Sequence, residues 1–114
     1  MNNNLAKEEN LLIIKEIESE PALTQRQLSD RLGISLGKTN YLLNALIEKG
    51  FIEIKNFTTQ PGKMIKIHYH LTKDGFEHKI HLMELFLKNK EEEYNLMKRD
   101  WDRLMAKTAK GDSI

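Results

Sequence analysis

Three residues, Gly33-Ile34-Ser35, stand between two stretches of helical periodicity, and that brevity fixes more about the fold than any other feature. A junction so short forces the flanking helices to cross steeply, so that one projects outward. Gly33 suits the left-handed turn that stops a helix, and Ser35 offers a side-chain oxygen to cap the next. Before the junction, Thr24-Gln25-Arg26-Gln27 has the pattern of a capping box and opens a short helix to about Leu32, with Leu28 and Leu32 facing inward. After it, a helix to about Lys49 carries Leu42, Leu43, Leu46 and Ile47 as its apolar stripe, and Gly50 closes it as Gly33 closes the previous one.

The segments on either side complete the outline. From about Leu5 to Ser19, Leu11, Ile14 and Ile17 recur at helical spacing, joined by Leu12 and Ile13, and the helix ends before Pro21. Beyond Gly50 the period changes from 3.6 to 2. Ile52 and Ile54 alternate with Glu53 and Lys55, and Ile65, Ile67, Tyr69 and Leu71 alternate with Met64, Lys66, His68 and His70. These predict two half-buried strands joined by a polar loop, Asn56 to Lys63, that contains the turn pair Pro61-Gly62. Thr72 can cap a final helix from Lys73 to about Lys107. Helix, short helix, tight turn, helix, hairpin is the order of a winged helix-turn-helix. The fold expected is therefore mainly α with a small β-hairpin, an α+β winged helix-turn-helix followed by a long C-terminal dimerisation helix. Residues 1–72 form the DNA-binding domain and residues 73–110 the dimerisation helix.

Composition narrows the function. The chain has 114 residues, 31% of them charged, and no cysteine, so disulfides, zinc-cysteine sites and thiol chemistry are excluded. No apolar run reaches the roughly 20 residues needed to cross a membrane, and Met1 to Asn4 lacks the pattern of a signal peptide, so a cytoplasmic location is expected. Net charge is only +1, but it is unevenly spread. Residues 1–23 carry two basic and five acidic groups, residues 24–73 eight basic and three acidic, and residues 74–114 eight basic and nine acidic. The positive charge falls on the middle segment, where a DNA footprint would lie.

The outward face of the third helix holds Gly37, Lys38, Asn40, Tyr41 and Asn44, with Leu36 at its tip. Asn can pair bidentately with adenine, Lys can reach guanine or phosphate, and Leu can meet a thymine methyl. Gly37 permits close approach to a sugar-phosphate backbone. A solvated helix face usually mixes Glu with Lys, yet Leu36 to Ile47 contains no acid. On the hairpin, Lys55, Gln60, Lys63 and Lys66 are candidates for phosphate or minor-groove contact. The helix starts at Thr24-Gln25 and Ser35 add backbone donors for phosphate. On this reading Lys38 and Asn40 read DNA and are dispensable for folding. The expected partner is double-stranded DNA, with no membrane partner and no effector marked by any motif.

The run from Gln25 to Tyr41, the segments Ala45 to Ile52 and Lys55 to Phe57, and Leu71-Thr72-Lys73-Asp74-Gly75 resemble the MarR-type regulators associated with exopolysaccharide gene clusters. The last segment matches that family's Leu-Thr-Pro-Lys-Gly pattern, with Lys73 and Asp74 replacing its Pro and Lys. The resemblance spans about residues 10–100 and implies a small regulator of polysaccharide biosynthesis genes. The resemblance implies dimerisation through helices at both ends, although the longer terminal set of that family is not expected here.

In the last helix, Phe76, Ile80, Met83, Leu87, Tyr94, Met97, Trp101 and Leu104 follow alternating steps of four and three, with Lys90 in the one gap. That is a heptad seam. Phe76 and Ile80 are expected to dock on the chain's own domain. Met83, Leu87, Lys90, Tyr94, Met97, Trp101 and Leu104 are expected to dimerise the chain, because leaving such a stripe in water forgoes on the order of 10 kcal/mol. Its parallel or antiparallel sense stays open at this stage, as does a bundle of more than two helices. His68 and His70 share a strand face, and His78 and His81 a helix face, but no carboxylate is placed to orient the rings. No metal and no cofactor are expected. No nucleophile motif, phosphate loop or carboxylate pair points to an enzyme. The alternative to a DNA-binding regulator is a winged-helix interaction module that assembles through its long helix without binding DNA.

Overall fold

A computed structural model of the chain describes residues 3–57 and 66–111. Four helices and one hairpin follow in order: α1 (Asn3–Ser19), α2 (Gln25–Leu32), α3 (Leu36–Glu48), β1 (Ile52–Phe57), β2 (Lys66–Leu71) and α4 (Lys73–Ala109). The chain forms two compact units that divide between Leu82 and Met83, so the first turns of α4 belong with the elements before it.

The caps form as their residue types dictate. Thr24 Oγ1 accepts from the Gln27 N–H and the Gln27 side chain accepts from the Thr24 N–H, the full capping box. Gly33 adopts φ 67°, a left-handed conformation costly to any residue with a Cβ, and its N–H donates to the Ser29 carbonyl. Ser35 Oγ then accepts from the Lys38 N–H to start α3. Three residues thus end one helix and begin the next.

Ile13, Ile14 and Ile17 of α1, Leu28 of α2, and Leu42, Leu43 and Leu46 of α3 are buried together with Ile52, Tyr69 and Leu82. Each such side chain contributes about 1.5–3 kcal/mol of burial, enough to hold three short helices that would not persist alone. Leu12 is exposed instead, as the adjacent position on the turn. β1 and β2 pair antiparallel, with Ile52 opposite Leu71, Ile54 opposite Tyr69 and Asn56 opposite Ile67. The expected alternation is present, but only the base of that face is covered. Ile52 and Tyr69 are buried, whereas Ile54 and Ile67 are about half exposed, because the hairpin extends beyond the helices that back it.

The start of α4 docks by a different stripe from the one expected. Phe76 and Ile80 are exposed, and Gly75 and Leu82 are buried instead. The His78 ring stacks on Phe51 with centroids 4.2 Å apart, and Lys79 pairs with Glu18 of α1. Gly75 lies so close to the Phe51 carbonyl that an added Cβ would sit 2.0 Å from its oxygen. This close approach sets the rotation of the first turns of α4, in which Phe76 and Ile80 face solvent.

Among the described residues, no helix is long and apolar enough to cross a membrane.

Candidate nucleic-acid interface

α3 buries Thr39, Leu42, Leu43 and Leu46, and this leaves the complementary face to solvent. On that face Leu36, Gly37, Asn40, Tyr41 and Asn44 are all exposed, Tyr41 at 72%. No internal contact accounts for a glycine at position 37. A Cβ built there meets nothing within 4 Å. At the helix start, Ser35 occupies the Lys38 N–H, while the amides of Leu36 and Gly37 precede any intrahelical acceptor.

Side-chain amides link this face to the rest of the unit. Asn44 donates from Nδ2 to Asn40 Oδ1 at 3.2 Å, and Asn40 donates from Nδ2 to Gln25 Oε1 at 3.1 Å. Gln25 in turn lies 3.5 Å from the buried Tyr69 hydroxyl, to which it donates. The chain runs from β2 through the first residue of α2 to the middle of α3. It fixes which end of each amide points where, and it leaves Asn44 as the terminal member. Gln25 and Thr24 also line, with Lys66, Ile67 and Tyr69, a hollow of about 560 Å³ between the start of α2 and β2.

Lys38 departs from the expectation of a free, groove-reaching cation. Its Nζ lies 2.9 Å from Oε1 of Glu9 on α1, and that carboxylate is only 9% exposed. The contact is an ion pair, not a well-aimed hydrogen bond, and it ties α1 to α3. Lys38 therefore has a structural role, because removing it would strand a buried carboxylate.

The other candidates divide. Lys55 and Lys66 are exposed on β1 and β2, Lys55 within 3.6 Å of Glu53. Gln60 and Lys63 lie outside the described residues. Arg26, exposed at the second position of α2 and in no ion pair among the described residues, is a cation that the sequence reading passed over. Its place inside the capping box was the available signal. By contrast, Arg31 is held by Glu16 and Glu20. Hydrogen bonds to Glu20 and then Glu16 push its pKa up.

The histidines do not assemble a centre. His68 and His70 stand with ring centroids 6.1 Å apart on the hairpin, and no group of three or more His, Asp or Glu among the described residues could hold a metal ion. Burial against Phe51, then the charges of Lys49 and His81, push the His78 pKa down.

A family model described as winged helix-turn-helix DNA-binding matches residues 10–53, which run from α1 to the start of β1. No curated protein sequence matches the chain. Among solved structures, the PcaV transcriptional regulator from Streptomyces coelicolor is 17% identical with a TM-score of 0.59, over 90% of this chain and 79% of that one. A MarR protein from Peptoclostridium difficile is 18% identical with a TM-score of 0.60, over 90% and 67%. Streptococcus pneumoniae FabT in complex with DNA is 27% identical with a TM-score of 0.51, over 89% and 74%. The fold is thus a winged helix of the kind these proteins share.

Proposed function

We propose that the chain is a sequence-specific DNA-binding transcription regulator, not an enzyme, that acts as a homodimer in the cytoplasm. One observation carries the reading. The exposed face of α3, from Leu36 to Asn44, is free of acid, and its polar amides are already aligned by contacts with α2 and β2. Such a face suits the major groove, where amides read adenine and a leucine meets a thymine methyl. The DNA-bound state of FabT, over most of the length of this chain, supports the same use of the fold. Thr24, Gln25 and Ser35 at the helix starts, with Arg26, Lys55 and Lys66, serve the phosphates. Lys38 serves the fold through Glu9 and reaches DNA only if it leaves that carboxylate.

The dimer reading rests on α4. In the unit that begins at Met83, Leu87, Tyr94, Met97 and Trp101 are each more than half exposed in a single chain. A stripe of that size is stable in water only when a partner covers it. The resemblance to exopolysaccharide-associated regulators makes polysaccharide biosynthesis promoters the first targets to test.

The experiment is fluorescence anisotropy with duplexes from the chain's own promoter and with random duplex, at several salt concentrations. Affinity should fall steeply from low to moderate salt. Asn44→Ala and Tyr41→Ala should reduce discrimination between the two duplexes while the dimer mass stays constant. Equal binding of both duplexes by the unaltered protein, or none at all, would leave the interaction-module alternative in place.

A further inference from the structure

We propose that residues 83–108 of α4 pair antiparallel with the same segment of a second copy, each Lys90 lying over the partner's Trp101. This rests on the homodimer reading above and gives it a direction and a register.

The seam of this segment is Met83, Leu87, Lys90, Tyr94, Met97, Trp101 and Leu104, and all seven are exposed within one chain. Its steps of four and three assign Leu87, Tyr94 and Trp101 to one core position of the heptad and Met83, Lys90, Met97 and Leu104 to the other. Tyr94, Met97, Lys98 and Trp101 line a hollow of about 210 Å³, which has the make-up of a hole that receives one side chain of a facing helix.

The lysine decides the direction. In a parallel pair, symmetric positions face each other, so two Lys90 ammonium groups would meet inside the seam and two Trp101 rings would crowd one layer. Glu93, 4.0 Å from Lys90 on the same helix, is too distant and too exposed to neutralise such a layer. In an antiparallel pair the two core positions face one another instead. With Tyr94 opposite the partner's Met97, Leu87 falls opposite the partner's Leu104 and Lys90 opposite the partner's Trp101. The lysine stem then covers the indole, and its ammonium meets the ring face, a favourable cation–π geometry. The sulfur of Met97 beside Tyr94 is also favourable.

Rim charges do not reverse this. The parallel arrangement would bring Glu93 near the partner's Lys98. The antiparallel one brings Glu91 near the partner's Lys98, at the cost of Glu93 near the partner's Asp100. Lys98 is already bonded to Asp102 on its own helix at 2.7 Å, and exposed pairs of this kind are weak. The layer that excludes water settles the choice.

The absence of cysteine makes the test direct. Leu87→Cys and Leu104→Cys proteins are oxidised mildly, each alone and as an equimolar mixture. The antiparallel pair gives a covalent dimer in the mixture and little in either protein alone, because positions 87 and 104 of one helix are roughly 25 Å apart. A strong cross-link in Leu87→Cys alone would overturn the proposal in favour of a parallel pair. A cross-link in neither the single proteins nor the mixture, with dimer mass intact, would overturn the register. A monomeric mass for the unaltered chain would instead defeat the homodimer reading on which it rests. A second readout needs no cysteine. Trp101 is the only tryptophan, and Lys90 of the same helix is about 16 Å away along the axis. Lys90→Ala should therefore shift the Trp101 emission of a protein still dimeric by mass, and unchanged emission would count against the contact.

Discussion

Gly37→Ala separates folding from DNA binding by sign. Gly37 is the second residue of α3, is exposed, and has an ordinary helical backbone, and an added Cβ meets nothing within 4 Å. Glycine costs a helix interior about 0.5–1 kcal/mol relative to alanine, and a position in the first turn should sit near the lower end. The variant should thus be more stable by about 0.5 kcal/mol, a rise in melting temperature of about 2–3 °C for a domain of this size. If α3 enters the groove with its first turn against the backbone, the same methyl crowds the duplex. Overpacking of one methyl costs about 1–3 kcal/mol, and 1.4 kcal/mol is tenfold, so affinity should fall about tenfold. Thermal melting followed by circular dichroism gives the first quantity, and anisotropy titration against promoter duplex gives the second. Melting temperature rising with no loss of affinity would refute the placement of Gly37 at the DNA. A fall in melting temperature would refute the claim that the site has room.

Other expectations follow from single contacts. Lys38→Ala should destabilise by about 1–3 kcal/mol, below the full cost of a broken buried pair because Lys38 is partly exposed; adding Glu9→Gln should recover most of it in chemical denaturation, and full additivity would disprove the coupling. Gly75→Ala should cost about 3 kcal/mol or more, because the Phe51 carbonyl cannot move aside, and a near-native melting curve would show that the helix start adapts. His78 is held below its usual 6.5 first by burial, so the folded state favours the neutral ring. Its stabilising contribution is present above that value and fades as pH falls below it, so melting temperature should drop from pH 7.5 to pH 5 and His78→Phe should flatten that drop.

What could be read from the sequence was local. Thr24 with Gln27, Gly33 and Ser35 act within a few residues of themselves, and the structure places each as its chemistry requires. Contacts between distant segments were not legible. Nothing in the spacing of Glu9 and Lys38, 29 positions apart, announces a pair, and Lys38 was therefore read as a free cation. The docking face of α4 was misread for a related reason. Its docking side is Gly75, the half-buried His78 and Leu82, only one of which is strongly apolar, and the stronger pattern of Phe76 and Ile80 belongs to the exposed seam. Ile54 and Ile67 alternate correctly, but alternation does not say how far a hairpin reaches past its support.

The distribution of charge changes meaning once the contacts are known. Residues 24–73 are strongly basic and residues 1–23 acidic, which in sequence looks like a DNA footprint beside an unrelated helix. In the structure, Glu9 and Glu16 of α1, with Glu20 just past its end, bind Lys38 and Arg31, and Glu18 binds Lys79. Two of the cations that a linear count assigned to DNA, Arg31 and Lys38, are therefore held by acids of the first segment. Those with no ion pair among the described residues are Arg26, Lys49, Lys66 and Lys73, all exposed. On the proposed reading these cations are what is left for phosphates, and the acid-free amide face is what is left for bases. Phosphate contacts give affinity without sequence, and base contacts give discrimination. On that reading the weight of recognition falls on Asn40, Tyr41 and Asn44, of which Asn40 and Asn44 are linked through Gln25 to Tyr69. Because Tyr69 is a buried residue of β2, the same hydrogen bonds that aim the amides also tie the hairpin to the helix it flanks.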